Sequence, residues 1–489
     1  MILLSTTTRG EEILSNSAPT HVLLLDSFGR TLRVSTNEVP EKLLPKGIGL
    51  ERQMPTPIHG VSVSHHVLRR ADEARDDLAF QFFPSVQPPL MPYLASADEF
   101  GNTAVRPGGL LSLMPLEPYV QDGKYWLSGH GFRYSLEQTI NFVNMTDVMQ
   151  GDSALGFYTF DLQAKWAIFD APHAATAGWI STQIEAKTGL GDNARTQNAQ
   201  RNLESLTDPT GIWSSHNGFR IPELAWQQSF NDGEVVVVAG VVSQGNYFDG
   251  NAYANSGRGQ FMNSALIDTM IVPLPDYNFG LNLQWQPNDE WYAIVGGTAG
   301  NARAGVSPWT DFDWNNWSAV AEIGYLMKDL FGLGPGVYRV QPFLGQSSGS
   351  PVETGIGFNF QQQLGKNSPF GWFGRFGTGG HEHFDGDMQS ITVGSQIGTG
   401  FVMQAPLKYL GLAPRLSNDV LGLGFVWSHI EESTRTIYHS DEYVLETFYT
   451  LQLSPLARLQ PDVQILWNPA YSPDAGPAAV FQLQFILSW

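Results

Sequence analysis

The sequence predicts an all-β fold, a transmembrane antiparallel β-barrel of about 16 strands with a short helical or irregular N-terminal extension. Three observations lead there. From residue 132 to the end, apolar and polar residues alternate in long runs. One face of these runs is aliphatic and aromatic, while the other carries Gln, Asn, Gly and charges of both signs. The connections sort by rank, even-ranked ones mostly short and several odd-ranked ones long, an asymmetry that outer-membrane barrels share and sandwiches have no reason to adopt.

Residues 1–108 read differently from the rest. Proline recurs (Pro40, Pro45, Pro55, Pro57, Pro84, Pro88, Pro89, Pro92, Pro107), Trp is absent and no period-2 pattern is sustained. This segment is expected to be an extension or linker, with a short polar helix over 65–77. Residues 1–30 do not read as a secretory signal, because the apolar stretch at 1–4 is brief and Glu11 and Glu12 follow it. The barrel unit is assigned to 109–489, opening with a short helix at about 116–130.

Side chains on a strand alternate between two faces, so each alternating run assigns its own lipid and lumen sides. In the first, Phe132, Tyr134, Leu136, Ile140 and Phe142 oppose Arg133, Ser135, Glu137, Thr139 and Asn141. Next, Tyr158, Phe160, Leu162, Ala164, Trp166 and Ile168 oppose Thr159, Asp161, Gln163 and Lys165. The last run sets Phe481, Leu483, Phe485, Leu487 and Trp489 against Gln482 and Gln484. Strand starts are expected near 132, 155, 177, 221, 234, 278, 290, 317, 336, 352, 371, 389, 419, 443, 459 and 479. Trp and Tyr near the run ends (Trp166, Trp285, Trp317, Tyr325, Trp427, Trp467, Trp489) would form girdles at two membrane interfaces. The long connections are about 186–220, 245–277 and 300–316.

Composition narrows function. Net charge is −20, against a nucleic-acid partner, and there is no Cys, excluding disulfides, thiolate metal sites and a Cys nucleophile. The longest aliphatic run, Val235–Val242, is far short of the ~18 residues of a membrane helix. No nucleophile elbow, ordered triad or phosphate loop is found, so no catalytic set and no cofactor is expected. His381, His383, Asp385 and Asp387 have metal-like spacing, and 311–316 could offer oxygens to Ca²⁺. Polar loops are the preferred reading of both.

Several motifs resemble the carbohydrate-selective porins of the OprB type. They are ELAWQQ at 223–228, GVYR at 336–339, GWFGRFG at 371–377, DVLGLGFVWS at 419–428, EYVLETFY at 442–449, and LQPDVQ at 459–464 with Asn468 and Pro469. Their order is collinear with the family pattern over about 110–489; Trp489 stands where the family more often ends in Phe. The resemblance implies a water-filled outer-membrane channel for passive diffusion of monosaccharides or small oligosaccharides, with outer-membrane lipid around it. It further implies that the loop 245–278 folds inward as a constriction, carrying Tyr247, Phe248, Asp249, Arg258, Phe261 and Asn263; the alternative reading is a surface loop resting on the rim.

By strand parity the residues expected to line the solute path are Arg133, Glu137, Asp161, Lys165, Glu223, Gln227, Glu322, Arg339, Glu353, Arg375, Glu446, Asp462 and Gln464. Mixed charges and amides suit a hydroxyl-rich solute, each hydroxyl being donor and acceptor. Both barrel termini are expected on the periplasmic side. Gln482 and Gln484 are expected to tolerate Arg far better than Phe481 or Leu483. The rival readings are a general-diffusion porin without sugar selectivity, a structural outer-membrane protein holding an envelope partner through residues 1–108, and a soluble lectin or glycosidase. A homo-oligomer is compatible with all the membrane readings.

Overall fold

The computed structural model describes residues 130–489 apart from short stretches in connections (171–175, 192–197, 212–217, 302–305, 348–350, 385–389) and a few single or paired positions. Before residue 130 it describes helical positions at 119–120, 123–124 and 126–127 and three strands, Ile2–Ser5, His21–Leu25 and Thr31–Ser35, which form an antiparallel meander. The segment 65–77 lies outside the described residues.

Sixteen strands close into one antiparallel barrel. They are β1 (Phe132–Met145), β2 (Ala154–Asp170), β3 (Thr176–Gly189), β4 (Gly218–Phe230), β5 (Val235–Val242), β6 (Asn278–Trp285), β7 (Trp291–Ala299) and β8 (Trp317–Met327). The circuit continues with β9 (Gly336–Gln346), β10 (Glu353–Gln363), β11 (Phe370–Thr378), β12 (Ser390–Gln404), β13 (Val420–Ser433), β14 (Asp441–Ser454), β15 (Ala457–Trp467) and β16 (Ala478–Ser488). Each strand pairs with its sequence neighbours, a short ribbon at Glu382–Phe384 extends the edge of β12, and β16 pairs with β1 through Gln484 opposite Asn141. Trp489 completes the seam by exchanging backbone hydrogen bonds with Leu136. Every observed start lies within three residues of its expected position. Closure leaves no edge strand, which is what a sheet needs where lipid cannot hydrogen-bond to backbone.

The outer surface is the apolar face. Phe142, Leu224, Leu281, Leu283, Ile323, Phe401, Leu423, Phe481 and Leu483 are exposed, while the residues between them are buried inside. At the short-turn end, Trp166, Trp226, Trp285, Trp291 and Trp372 stand exposed in a ring, with Trp291 packed on Tyr325 at 4.5 Å. Even-ranked connections are short (231–234, 286–290, 364–369, 455–456), except 405–419, which carries the helix Pro406–Tyr409. Odd-ranked ones include 190–217, 243–277 and 300–316. No helix among the described residues is long and apolar enough to cross a membrane, which bears on helices only.

The barrel interior is not uniformly polar. Apolar side chains from β11–β14, including Phe373, Val402, Val426 and Phe448, meet apolar side chains of the connection 243–277 in a packed core. A second core gathers Tyr247, Phe248, Ile271 and Val272 against Val236, Val238, Tyr292 and Ile294.

Candidate functional site

The connection between β5 and β6 runs through the barrel, not over its rim. Its residues Tyr247, Phe248, Asp249, Phe261 and Asn263 are buried, and it is bonded to inward side chains on most of the wall. Two short turns shape it. Gln244–Asn246 form a 3-10 turn, and Asn263 caps the helix Ser264–Ile267 by accepting from the Ala265 N–H at 3.1 Å.

Successive strands hold successive pieces of the loop. On β8, Glu322 accepts the Asp249 N–H at 2.9 Å; on β10, Asn359 donates to Asp249 Oδ1 at 2.6 Å and Gln361 accepts the Ala252 N–H at 2.8 Å. On β11, Arg375 bonds Asp249 Oδ2 at 2.7 Å. Gln396 on β12 accepts the Met270 N–H at 3.0 Å, and Glu446 on β14 accepts from the N–H groups of Met262 and Asn263. Gln460 and Gln484, on β15 and β16, donate to the carbonyls of Gln260 and Gly257 at 2.6 and 3.0 Å. Buried carboxylates, guanidinium groups and amides are tolerable only with such partners, and hydrogen bonds to charged groups stabilise by about 1.5–3 kcal/mol each.

The preceding long connection is pinned beside it. Glu442 on β14 accepts from the Leu206 and Thr207 N–H groups (2.7 and 2.9 Å), from the Thr207 hydroxyl (2.8 Å) and from the Ala470 N–H (3.1 Å). Gln464 and Gln482 both donate to the Pro209 carbonyl at 2.7 Å. Arg435 pairs with Glu204 and lies 4.1 Å over the Tyr471 ring, tying this connection to the mouths of β13–β14 and β15–β16.

Glycines on the same wall make room for the loop. A Cβ on Gly371 would sit 2.3 Å from the Tyr253 ring, and one on Gly424 would sit 2.7 Å from Phe261. Phe261 itself stacks edge-on against Phe448 at 4.8 Å. Gly371 and Gly424, on the inward faces of their strands, are thus seats for the loop.

Solvent reaches the opposite side, between the loop and β1–β4. Here Arg133, Glu137, Gln163, Glu185 and Lys187 are only partly buried, and Asp268 and Asp276 of the loop are exposed to the lumen. Glu185 lies between Lys187 at 3.5 Å and Arg220 at 3.2 Å; Arg258 reaches from the loop to 3.7 Å from Asp161; Arg458 pairs with Glu137. Arg220 also sits 5.7 Å over the Tyr277 ring. Asn246 donates to Glu223 and Gln183, each at 3.1 Å. Protein crowding the narrow lumen partly desolvates the Asp268 carboxyl and, with the nearby Asp249 carboxylate, lifts it to about 7. The same crowding raises Asp276, whose carboxylate accepts from the Ser243 hydroxyl.

The path residues read from parity fall into two groups. Arg133 and Glu137 border the solvated side, Asp161 is buried just behind it, and partly buried Glu353 faces inward on β10. Glu223, Gln227, Arg339, Arg375, Glu446, Asp462 and Gln464 are buried, as is Lys165. Gln227 donates to the Tyr247 hydroxyl at 3.3 Å, Arg339 donates to the Tyr292 hydroxyl at 2.8 Å, and Asp462 accepts from Gln464 at 3.1 Å. These buried positions differ from the water-lined row that parity alone implies, because period 2 says which face a residue takes and not whether a loop covers it. Glu185 and Lys187 escaped the reading although their parity on β3 is regular. Arg220 was hidden by a bulge: Glu185 faces Arg220 while Gln183 faces Glu223, so two inward charges stand three apart around Pro222. Among the described residues no group of three or more His, Asp or Glu is placed to hold a metal ion. Of the 381–387 set, only the backbone of Glu382–Phe384 is described.

A closed barrel with an apolar exterior, a charged interior and a loop narrowing its bore is the architecture of an outer-membrane porin. The chain belongs to the carbohydrate-selective porin family, OprB, whose sequence model matches residues 169–347 and 340–487. Porin AaxA of Chlamydia felis is 24% identical over 334 residues, spanning 65% of this chain and 67% of that protein. The high-pH structure of Pseudomonas putida OprB superposes with a TM-score of 0.60 at 14% identity, covering 78% of this chain and 99% of that one, and supports the fold.

Proposed function

We propose that this porin passes neutral monosaccharides and small oligosaccharides by diffusion through the solvated gap between the inward loop and strands β1–β4. The observation that carries the reading is the mixed charge set on the two sides of that gap. Glu185 and Lys187 stand on the wall with Asp161 and Arg220 buried just behind them, and Arg258 and Asp276 stand on the loop with Tyr277 buried under Arg220. A sugar presents hydroxyls that both donate and accept, so carboxylates and guanidinium groups can serve it together, while an aromatic face suits its C–H surface. A single-sign ring would select an ion instead. The family's description as carbohydrate-selective agrees with this reading.

Several modest contacts spread along the gap also fit conduction, which needs binding weak enough to release. The long connections face the cell exterior and both barrel termini face the periplasm, following the short-turn, long-loop asymmetry. Liposome swelling tests the selectivity. Sugars should enter faster than uncharged amino acids of similar size; equal rates would leave a general-diffusion porin.

A further inference from the structure

We infer that Arg375 is the positioning residue that sets the width of the channel, acting through the loop and touching no solute. Its guanidinium reaches three separate limbs of the inward connection. Nε bonds Asp249 Oδ2 at 2.7 Å and Nη2 bonds the Asp249 carbonyl at 2.9 Å. Nη1 bonds the carbonyls of Ala254 at 2.6 Å and Leu266 at 2.7 Å. Asp249 begins the inward excursion, Ala254 lies on its outgoing limb, and Leu266 lies on the helix that starts the return.

Three features make this group a determinant of shape. Arg375 is 2% exposed, so no solute reaches it. The residue it holds most firmly, Asp249, has φ of 57°, a left-handed conformation that an L residue keeps only when its surroundings impose it. The same β11 wall carries Gly371, whose missing side chain admits Tyr253 between the two limbs. Arg375 therefore pulls the loop toward β10–β12, away from the charged strands β2–β4. The distance left between loop and strands is the aperture.

Only Arg has the fork to do this. A planar guanidinium offers five N–H donors in fixed directions, whereas an ammonium group is a compact point with three. Released from Arg375, the loop keeps its links to Glu446, Gln460 and Gln484 on the far side. It loses the wall group that ties Asp249, Ala254 and Leu266 together. Its outgoing limb is then held through Glu322, Asn359 and Gln361, without the charged link to the return limb, and the bore is no longer held at one width.

The test is the unit conductance in KCl and the exclusion limit for graded polyethylene glycols, measured on refolded protein in planar bilayers. The set comprises the parent, Arg375→Ala, Arg375→Lys, Asp249→Ala, and a variant whose residues 250–265 are replaced by a short Gly-Ser linker, alone and with Arg375→Ala. Arg375→Ala should lower conductance and the exclusion limit, the opposite of the shortened loop, because the released loop can close on β2–β4. Arg375→Lys should fall between parent and Ala, and Arg375→Ala should add nothing once the loop is shortened. Parent-like conductance and exclusion in folded Arg375→Ala would overturn the inference. So would an equal change in the shortened-loop background, which would put the effect in the wall. If Arg375→Ala does not fold, Asp249→Ala cuts the same link from the loop side, and parent-like values there overturn it equally. The readouts need a channel but no sugar selectivity, so failure of the sugar reading would show separately.

Discussion

Arg258 and Arg375 carry the same guanidinium inside the same barrel, yet they face different tasks. Arg258 reaches from the loop to the edge of the gap and meets Asp161 at 3.7 Å, a loose pairing in which the guanidinium keeps some exposure. Arg258→Ala should weaken sugar-induced current block, since a hydrogen bond to a charged group is worth about 1.5–3 kcal/mol and each 1.4 kcal/mol is about tenfold in affinity. It should also raise cation preference, because Asp161 loses its nearest positive charge. Arg339 is buried between Tyr292 and Glu322, so Arg339→Ala should leave sugar block unchanged and destabilise the barrel by about 3–5 kcal/mol. Denaturant unfolding beside block titration checks both halves. A third residue adds a pH dependence. The Asp268 carboxyl, lifted to about 7, is largely neutral below that pH and charged above it. Cation preference should therefore rise between about pH 6 and pH 8, and Asp268→Asn should remove the step. The same shift makes the folded state bind the proton more tightly than the unfolded chain, so this group costs stability as pH climbs toward 7.

At the scale of single elements, β16 shows what alternation can and cannot say. Phe481 and Leu483 are 49% and 45% exposed on the outer face, as the period-2 pattern predicts, because lipid requires an apolar side chain at each of those positions. Leu483→Arg should cost about 2–4 kcal/mol if the residue lies near the bilayer midplane, read by folding yield into lipid. The expectation that Gln482 and Gln484 would accept Arg cheaply does not survive the packing. Both are buried, donating to Pro209 and Gly257 of the two inward connections, so Arg at either site should displace a loop and alter conductance. The lumen contacts were illegible in the sequence for a physical reason: Glu446 meets Asn263 across 183 residues, and no local period encodes a pair at that separation. Arg220 was illegible for another, since the bulge at Pro222 shifts the parity on which its face was to be read. By contrast, the face of Glu442 follows from that of Glu446, four residues along the same strand; what it binds does not.

For the whole molecule, the barrel divides into a half that seats the loop, β8–β16 with its glycines and buried anchors, and a half that borders water, β1–β4 with its ion pairs. The strand count, circuit and outer face were legible because closure in lipid constrains every strand alike. The orientation in the membrane is open to direct labelling, and a chain without Cys makes single-cysteine variants clean reporters. Trp309→Cys should react with an impermeant maleimide on intact cells, whereas Asn288→Cys should react only after the outer membrane is opened. Reaction of Asn288→Cys from outside would invert the barrel. The most direct test of sugar passage through this gap is single-channel current block, titrated with several neutral sugars on the parent porin. Discrete conductance steps should be reduced in a saturable, dose-dependent way by millimolar sugar, and the block should weaken in Arg258→Ala while persisting in Arg339→Ala. Open channels that no sugar blocks at millimolar concentration would contradict the sugar reading and leave a general-diffusion pore.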